Sequence, residues 1–322
     1  VRDWKLQALR AAMMAAMTLA RGGRYRHLAA AGGICYVAAL LVPAAMLLFG
    51  RRFRGAVYLP GNLNPSEIVK PLLVIFLAAF LGGRKADFAV TQAGLPMPPP
   101  RTLRLLAALW LPPVVLVLLL RDLGLLVLLN AVLVIMLYAV ARKTGYLLVG
   151  TAGVLALALT AGIFSAHARA RFDVWLHPFA DPTGRGWQIL QSLSAMHAGG
   201  LWGTGIGAGS PQAVPIAASD FVYAAAAEEL GLIACALLLL VYGAMFLRGW
   251  RIAAQARGPF GMLLGTGLTA MLAVQTILNV AGVTKALPMT GIPLPFISQG
   301  GSSLVTSMTM AGLLAALADR RA

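Results

Sequence analysis

Charged side chains are scarce in this chain, so their positions carry information. Of its 322 residues 11% are charged and 60% are hydrophobic. An ionisable group set among membrane-type apolar residues is costly, and by default it is a functional candidate. Four places stand out. In NPSEIVK, Glu67 and Lys70 lie i,i+3 after a helix start at Pro65 and Ser66, so they share a face and can pair; taken alone, an interfacial salt bridge explains them equally well. In LLLRDLGLL, Arg121 and Asp122 interrupt an apolar hairpin, with Asp122 available as a helix cap or as a binding group. In SDFVYAAAAEELG, Asp220 stands at the mouth of an apolar stretch, and Glu228 and Glu229 follow about two turns further in. Those two need partners, and interhelical polar glue is their bland role. Lys285 lies beside a run rich in Pro and Gly. A carboxylate can take a proton from a hydroxyl and a cation can hold a phosphate, so base catalysis and anion binding are the chemistries available.

The elements that must position these groups are membrane spans. The mean hydropathy is +0.83, and apolar segments of about 17 to 25 residues, enough to cross a hydrocarbon core, recur along the chain. We expect an all-α, polytopic transmembrane helix bundle forming a single integral membrane domain over 1–322. About nine spans are expected, at 4–20, 28–49, 66–82, 103–120, 122–141, 145–165, 221–247, 260–282 and 303–318. Pro112 and Pro113 should kink the fourth. The net charge of +16 does not point to nucleic acid, because most basic clusters fall in alternate loops; the 51–65 loop, with Arg51, Arg52 and Arg54, runs against the trend and offers further cations for a phosphate. Arg21, Arg24 and Arg26 occupy one loop, Arg84, Lys85, Arg101 and Arg104 the second after it, then Arg142 with Lys143, Arg248 with Arg251 and Arg257, and finally Arg320 with Arg321. That is the positive-inside pattern. The remaining loops then face outward, among them a long one at about 166–220.

A second external segment, 283–303 (VTKALPMTGIPLPFISQGGSS), cannot be helical throughout. Pro288, Pro293 and Pro295 with Gly291, Gly300 and Gly301 break it repeatedly. Non-helical backbone beside a bilayer is tolerated where protein or a water-filled cavity satisfies it, so this segment should line a cavity. Every unusual polar feature therefore lies on one side of the membrane. The glycine-rich GGLWGTGIGAG (Gly199 to Gly209) lacks the G-x-G-x-x-G spacing and follows no strand pattern, which excludes a dinucleotide fold; it reads as a flexible loop, or as one whose amides line a phosphate. Cys35 and Cys235 fall inside apolar spans and read as core residues. His27, His167, His177 and His197 lack metal-ligand spacing. No cofactor is evident, and divalent-cation dependence is not legible.

Five motifs taken in order resemble one family. NPSEIVK resembles a PSE-x-x-K element and RDLG a P-D-L-G element. WQILQSLSAMHAGGLWGTGIG resembles a Q-x-x-QS…GGL-x-G-x-G loop, SDFVYAAAAEELG a TDF-x-x-A…EELG element, and TGIPLPFISQGGSS a TG-x-PLPF-x-S-x-GGSS signature. The matches span 65–318, and the chain is identified as resembling the SEDS family, the group of RodA, FtsW and SpoVE. Three places depart from the pattern. Pro215 to Ser219 replace a P-E-x-H-T stretch before Asp220, Gln299 replaces a Tyr, and Arg121 replaces a Pro. The family has ten spans, so the resemblance implies that the first is missing here.

The resemblance implies a multi-pass protein of the bacterial cytoplasmic membrane that polymerises lipid II into peptidoglycan at the outer face, beside a class B penicillin-binding protein. It makes Asp220 the base for the acceptor hydroxyl. Glu67, Lys70, Asp122 and Lys285 become substrate-binding residues, as do Gln191 of the Q-x-x-QS element and Ser302 and Ser303 of the GGSS element. Two other readings of the same features remain open. A lipid II flippase would carry polar groups on both sides of the midplane, and a non-catalytic scaffold would only activate its transpeptidase partner.

Overall fold

The structure, a computed structural model, describes residues 25–53, 56–58, 65–90, 97–210 and 219–318. Among them, helix forms wherever the sequence offers an apolar run of span length. The elements in order are α1 (Tyr25–Ala30), α2 (Gly32–Phe49), β1 (Arg51–Phe53), β2 (Ala56–Tyr58), α3 (Ser66–Gly83), α4 (Lys85–Phe88), α5 (Pro100–Leu119), α6 (Leu123–Ala141), α7 (Thr144–Phe164), α8 (Ala166–Leu176), a 3-10 turn (Pro178–Ala180), α9 (Trp187–Gly199), α10 (Val222–Gln255), α11 (Gly258–Val283) and α12 (Gly301–Ala318). Seven helices (α2, α3, α5, α6, α10, α11 and α12) are long and apolar enough to cross a membrane, and α7 adds a shorter apolar stretch, Thr144–Thr160. Eight of the nine expected spans thus correspond to helices, while the one expected at 4–20 lies outside the described residues. α5 runs on through Pro112 and Pro113 rather than ending there. One feature departs from the all-helical expectation, the antiparallel ribbon pairing Arg51 with Tyr58 and Phe53 with Ala56.

The chain divides into two compact units. The first holds Val1–Ala156, Arg248–Leu272 and Gly301–Ala322, and the second Leu157–Leu247 and Ala273–Gly300. In the first unit α3 packs against α2, α6 and α12. Its Val69, Leu73, Leu77 and Leu81 recur every four residues and are buried, the spacing that stacks side chains along one helix face. Polar groups tie neighbouring helices where lipid offers no partner. The Tyr36 hydroxyl of α2 donates to the Leu109 carbonyl of α5 at 2.9 Å. Trp110 Nε1 of α5 donates to Asn130 Oδ1 of α6 at 3.1 Å.

In the second unit the core gathers Phe221, Ala224, Tyr223, Cys235, Tyr242, Val283 and Leu294. The segment expected as a long external loop is here partly helical, which corrects that reading. Ser165 caps α8, its hydroxyl accepting from the Ala168 amide, and α9 follows after the 3-10 turn. Both helices are pinned to distant parts of the unit by side-chain hydrogen bonds, so polar composition alone was a poor guide to them.

The glycine-rich stretch does structural work. α10 breaks at Gly231, where φ is +83° and ψ 172°, a conformation close to exclusive to glycine. The break frees the carbonyls of residues 228 and 229 and the amides of 232 and 233. The Glu228 carbonyl accepts from the Thr204 amide at 2.9 Å and the Glu229 carbonyl from Gly205 at 3.1 Å. The amides of Leu232 and Ile233 donate to the carbonyls of Gly200 and Leu201 at 2.9 and 3.3 Å. The loop therefore replaces, bond for bond, what the helix loses, as buried backbone requires. Glu228 takes part as well: its Oε1 accepts from the Ser210 amide at 2.9 Å, so it holds this loop rather than gluing two helices.

Candidate active site

Segment 284–300 is non-helical between α11 and α12, as its Pro and Gly content predicts. Its carbonyls need donors; side chains from three helices supply them, and a fourth helix holds the residue just before it. Ser192 Oγ of α9 donates to the Val283 carbonyl at the end of α11, at 3.1 Å. Within the segment, Trp175 Nε1 of α8 donates to the Lys285 carbonyl at 3.0 Å, and Arg171 Nη1 of α8 to the Met289 carbonyl at 3.0 Å. Gln275 Nε2 and Asn279 Nδ2 of α11 reach Pro293 and Ile292, both at 2.8 Å. The Tyr242 hydroxyl of α10 reaches Pro295. The irregular backbone is thus a fixed wall.

Asp220 is built into that wall. It sits half-buried in the turn before α10, beside the fully buried Phe221. Asn279, 4% exposed, uses its second amide hydrogen on the Asp220 carbonyl at 2.9 Å. Ser298 donates to the Ser219 carbonyl at 2.5 Å and accepts from the Leu294 amide at 2.8 Å. Two side chains therefore tie the backbone around Asp220 to the Pro/Gly segment. A small crevice opens there, lined by Asp220, Asn279, Met289, Thr290, Gly291 and Ile292 among others. Asn279 Oδ1 and Thr290 Oγ1 are buried and have no hydrogen-bond partner among the described residues. Asp220 and Asn279 bring oxygen acceptors to an otherwise largely apolar lining, and the Thr290 hydroxyl can donate as well as accept.

Gly291 borders this place. Its φ is +72°, and a Cβ there would lie 3.8 Å from Asp220 Oδ2 and 3.7 Å from Arg171 Nη2. A carboxylate and a guanidinium therefore face one methyl-sized volume. Among the described residues no group of three or more His, Cys, Asp or Glu side chains is placed to hold a metal ion.

The expected site residues divide between the units. In the second, Asp220 lines the crevice, whereas Lys285 and Gln191 do not; Lys285 has a positive φ of 61°, and Gln191 is half-buried on α9. In the first, Lys70 is 2% exposed and its Nζ donates to both Glu67 oxygens at 2.7 Å. The pair expected from the i,i+3 spacing is formed, and it is buried rather than interfacial. Asp122 caps α6, accepting from the Leu125 amide at 2.9 Å. Ser302 is half-buried and Ser303 buried, both in the first turn of α12. The Arg51–Arg54 side chains and the altered stretch 215–218 lie outside what is described.

The comparisons with known proteins decide the family. The model for the cell cycle proteins FtsW, RodA and SpoVE matches residues 8–322. The chain belongs to this family. It is 38% identical over 301 residues to the peptidoglycan glycosyltransferase RodA of Mycobacterium tuberculosis (strain ATCC 25618 / H37Rv), covering 90% of this chain and 64% of that protein. To the probable peptidoglycan glycosyltransferase FtsW of Geobacter sulfurreducens (strain DL-1 / KN400) it is 33% identical over 302 residues, covering 88% and 78%. Among solved structures it is similar to one reported as a peptidoglycan synthase complex coordinating polymerization and crosslinking, with a TM-score of 0.78, 28% identity and coverage of 98% of this chain and 89% of that one. The rod shape determining protein RodA of Thermus thermophilus matches with a TM-score of 0.68 and 27% identity, over 98% and 87%. This member of the FtsW/RodA/SpoVE family is a multi-pass membrane protein.

The groups that hold Asp220 and the Pro/Gly segment differ in how visible they are in the sequence. Asn279 and Gln275 lie i,i+4 inside an otherwise apolar span, a shared polar face that was available as a signal. Ser298, Trp175 and the Arg171 contact carried no local sign, because their partners lie tens to more than a hundred residues away.

Proposed function

We propose that this protein is a peptidoglycan glycosyltransferase that polymerises lipid II at the outer face of the bacterial cytoplasmic membrane. The observation that carries the reading is Asp220, a half-buried carboxylate whose backbone is held by Asn279 and Ser298. A carboxylate fixed in this way can take a proton from a hydroxyl. The Asp220 carboxylate takes the proton from the 4-hydroxyl of the acceptor GlcNAc as that oxygen attacks the anomeric carbon of the donor MurNAc. The new glycosidic C–O bond forms, the bond to the polyprenyl diphosphate breaks with its electron pair, and the proton passes from Asp220 to water. Cations at the departing diphosphate stabilise its charge; Lys285 is the candidate in the second unit, with Gln191 as a further substrate contact, and the first unit by itself offers Lys70, oriented by Glu67, with Asp122, Ser302 and Ser303. The likeness to a solved peptidoglycan synthase complex supports a class B penicillin-binding protein as the partner that crosslinks the product.

The test uses the full-length protein purified with that partner, the partner carrying an inactivated transpeptidase site, and fluorescent lipid II. The wild type should yield glycan polymer resolved by gel electrophoresis. A protein that carries lipid II across proteoliposome membranes without polymerising it would contradict the reading in favour of a transporter. Absence of polymer from the wild type would contradict it in favour of a scaffold, and polymer that persists with Asp220→Asn would contradict Asp220 as the base.

A further inference from the structure

We infer that Arg171 is the positioning residue of Asp220 and does not hold the departing diphosphate. The inference rests on the reading of Asp220 as the base. Arg171 is anchored through Nη1 to the Met289 carbonyl at 3.0 Å, and the planar guanidinium therefore has a fixed orientation. Its Nη2 and Asp220 Oδ2 are each within 4 Å of the point a Gly291 Cβ would occupy.

Displacement at a sugar carbon sets the attacking and departing oxygens on opposite sides of it. Arg171 Nη2 and Asp220 Oδ2, at 3.7 and 3.8 Å from one point, share one small volume, and the anchored guanidinium therefore belongs with the base, on the side of the attacking hydroxyl. Asn279 Oδ1 adds a neutral acceptor beside Asp220 and Thr290 a neutral hydroxyl, so the charge they leave to be matched is that of the carboxylate. Of the groups packed around Asp220, α8 supplies the charged Arg171, while Asn279 from α11 and Thr290 and Ser298 from the Pro/Gly segment are neutral. A guanidinium in this place favours the ionised, proton-accepting form of a carboxylate and fixes its direction.

The experiment measures polymerisation of lipid II against pH by the full-length protein with its partner, for wild type, Arg171→Ala and Arg171→Lys. Arg171→Ala should lower kcat roughly 10- to 100-fold at neutral pH, leave KM for lipid II within about twofold, and move the acidic limb of kcat to higher pH. The sign follows because a carboxylate that loses a neighbouring cation holds its proton more tightly. Arg171→Lys should return the limb towards its wild-type position and recover part of the rate. A raised KM with kcat and the limb unchanged would overturn the inference in favour of diphosphate binding. A uniform loss with an unmoved limb and a lowered Tm would overturn it in favour of a purely structural arginine. Absence of polymer from the wild type would contradict the function reading itself, and Asp220→Asn at wild-type rate the choice of base; either result is distinct from a failure at Arg171.

Discussion

Replacing Lys70 by methionine would leave the Glu67 carboxylate, 7% exposed, without the ammonium that both its oxygens contact. Breaking a buried ion pair on one side costs about 3–5 kcal/mol, whereas exchanging both partners for apolar residues is often neutral. Thermal unfolding in detergent should therefore show a large drop for Lys70→Met and recovery in the Glu67→Leu/Lys70→Met double variant. The double variant should still fail to polymerise lipid II, because both charges serve the proposed reaction. Asn279→Ala leaves two carbonyls, those of Asp220 and Ile292, without their donor. The expected cost is about 1–3 kcal/mol for each, together with a fall in kcat as the backbone carrying the base loosens. At this scale the sequence was most legible where a charge stood in an apolar run: Asp220, the Glu67–Lys70 pair and the Asp122 cap were all visible. The neutral residues that hold Asp220 were not, because serine, asparagine and glutamine are tolerated in many spans and their partners come from distant elements.

Among the elements, α10 shows what periodicity hides. EELGLIACALLLL reads as one apolar run, and a single glycine inside it is ordinarily tolerated. The break at Gly231 becomes meaningful only with the Gly199–Gly209 loop in place, since the loop supplies the four backbone partners the helix gives up. The glycine cluster, which by composition reads as flexible or phosphate-binding, instead sends the amides of Thr204 and Gly205 to the carbonyls of Glu228 and Glu229. Gly231→Ala should be severe. A Cβ there would lie 2.4 Å from Gly203 N and from Leu201 O, backbone that cannot swing away, and the φ alone costs on the order of 1–3 kcal/mol. Gly243→Ala in the same helix is the control: its Cβ meets nothing within 4 Å, and helix propensity should stabilise it by up to about 1 kcal/mol. Melting temperatures of the two purified variants check the contrast. Segment 166–199 is likewise partly helical, with α8 tied to the Met289 and Lys285 carbonyls and α9 to that of Val283.

Across the whole chain, charge placement and hydropathy made the architecture legible, since span length and alternating basic loops are consequences of the bilayer itself. The division into two units was not legible. It cuts through α7, α10 and α11, helices that any hydropathy profile reads as unbroken spans. The topology predicts that a membrane-impermeant maleimide added to intact cells labels Asp181→Cys, and that Lys85→Cys and Arg257→Cys react only after permeabilisation, with Cys35 and Cys235 replaced by serine. All three positions are exposed, so labelling reports sidedness; reaction of Arg257→Cys in intact cells would reverse the topology and remove Asp220 from the outer face. The central claim is chemical, and one measurement addresses it most directly. Asp220→Asn, purified with its transpeptidase partner and given lipid II, should lose at least about 100-fold in the rate of glycan polymerisation while keeping the wild-type melting temperature and partner binding. Polymerisation at the wild-type rate by that variant would contradict the account.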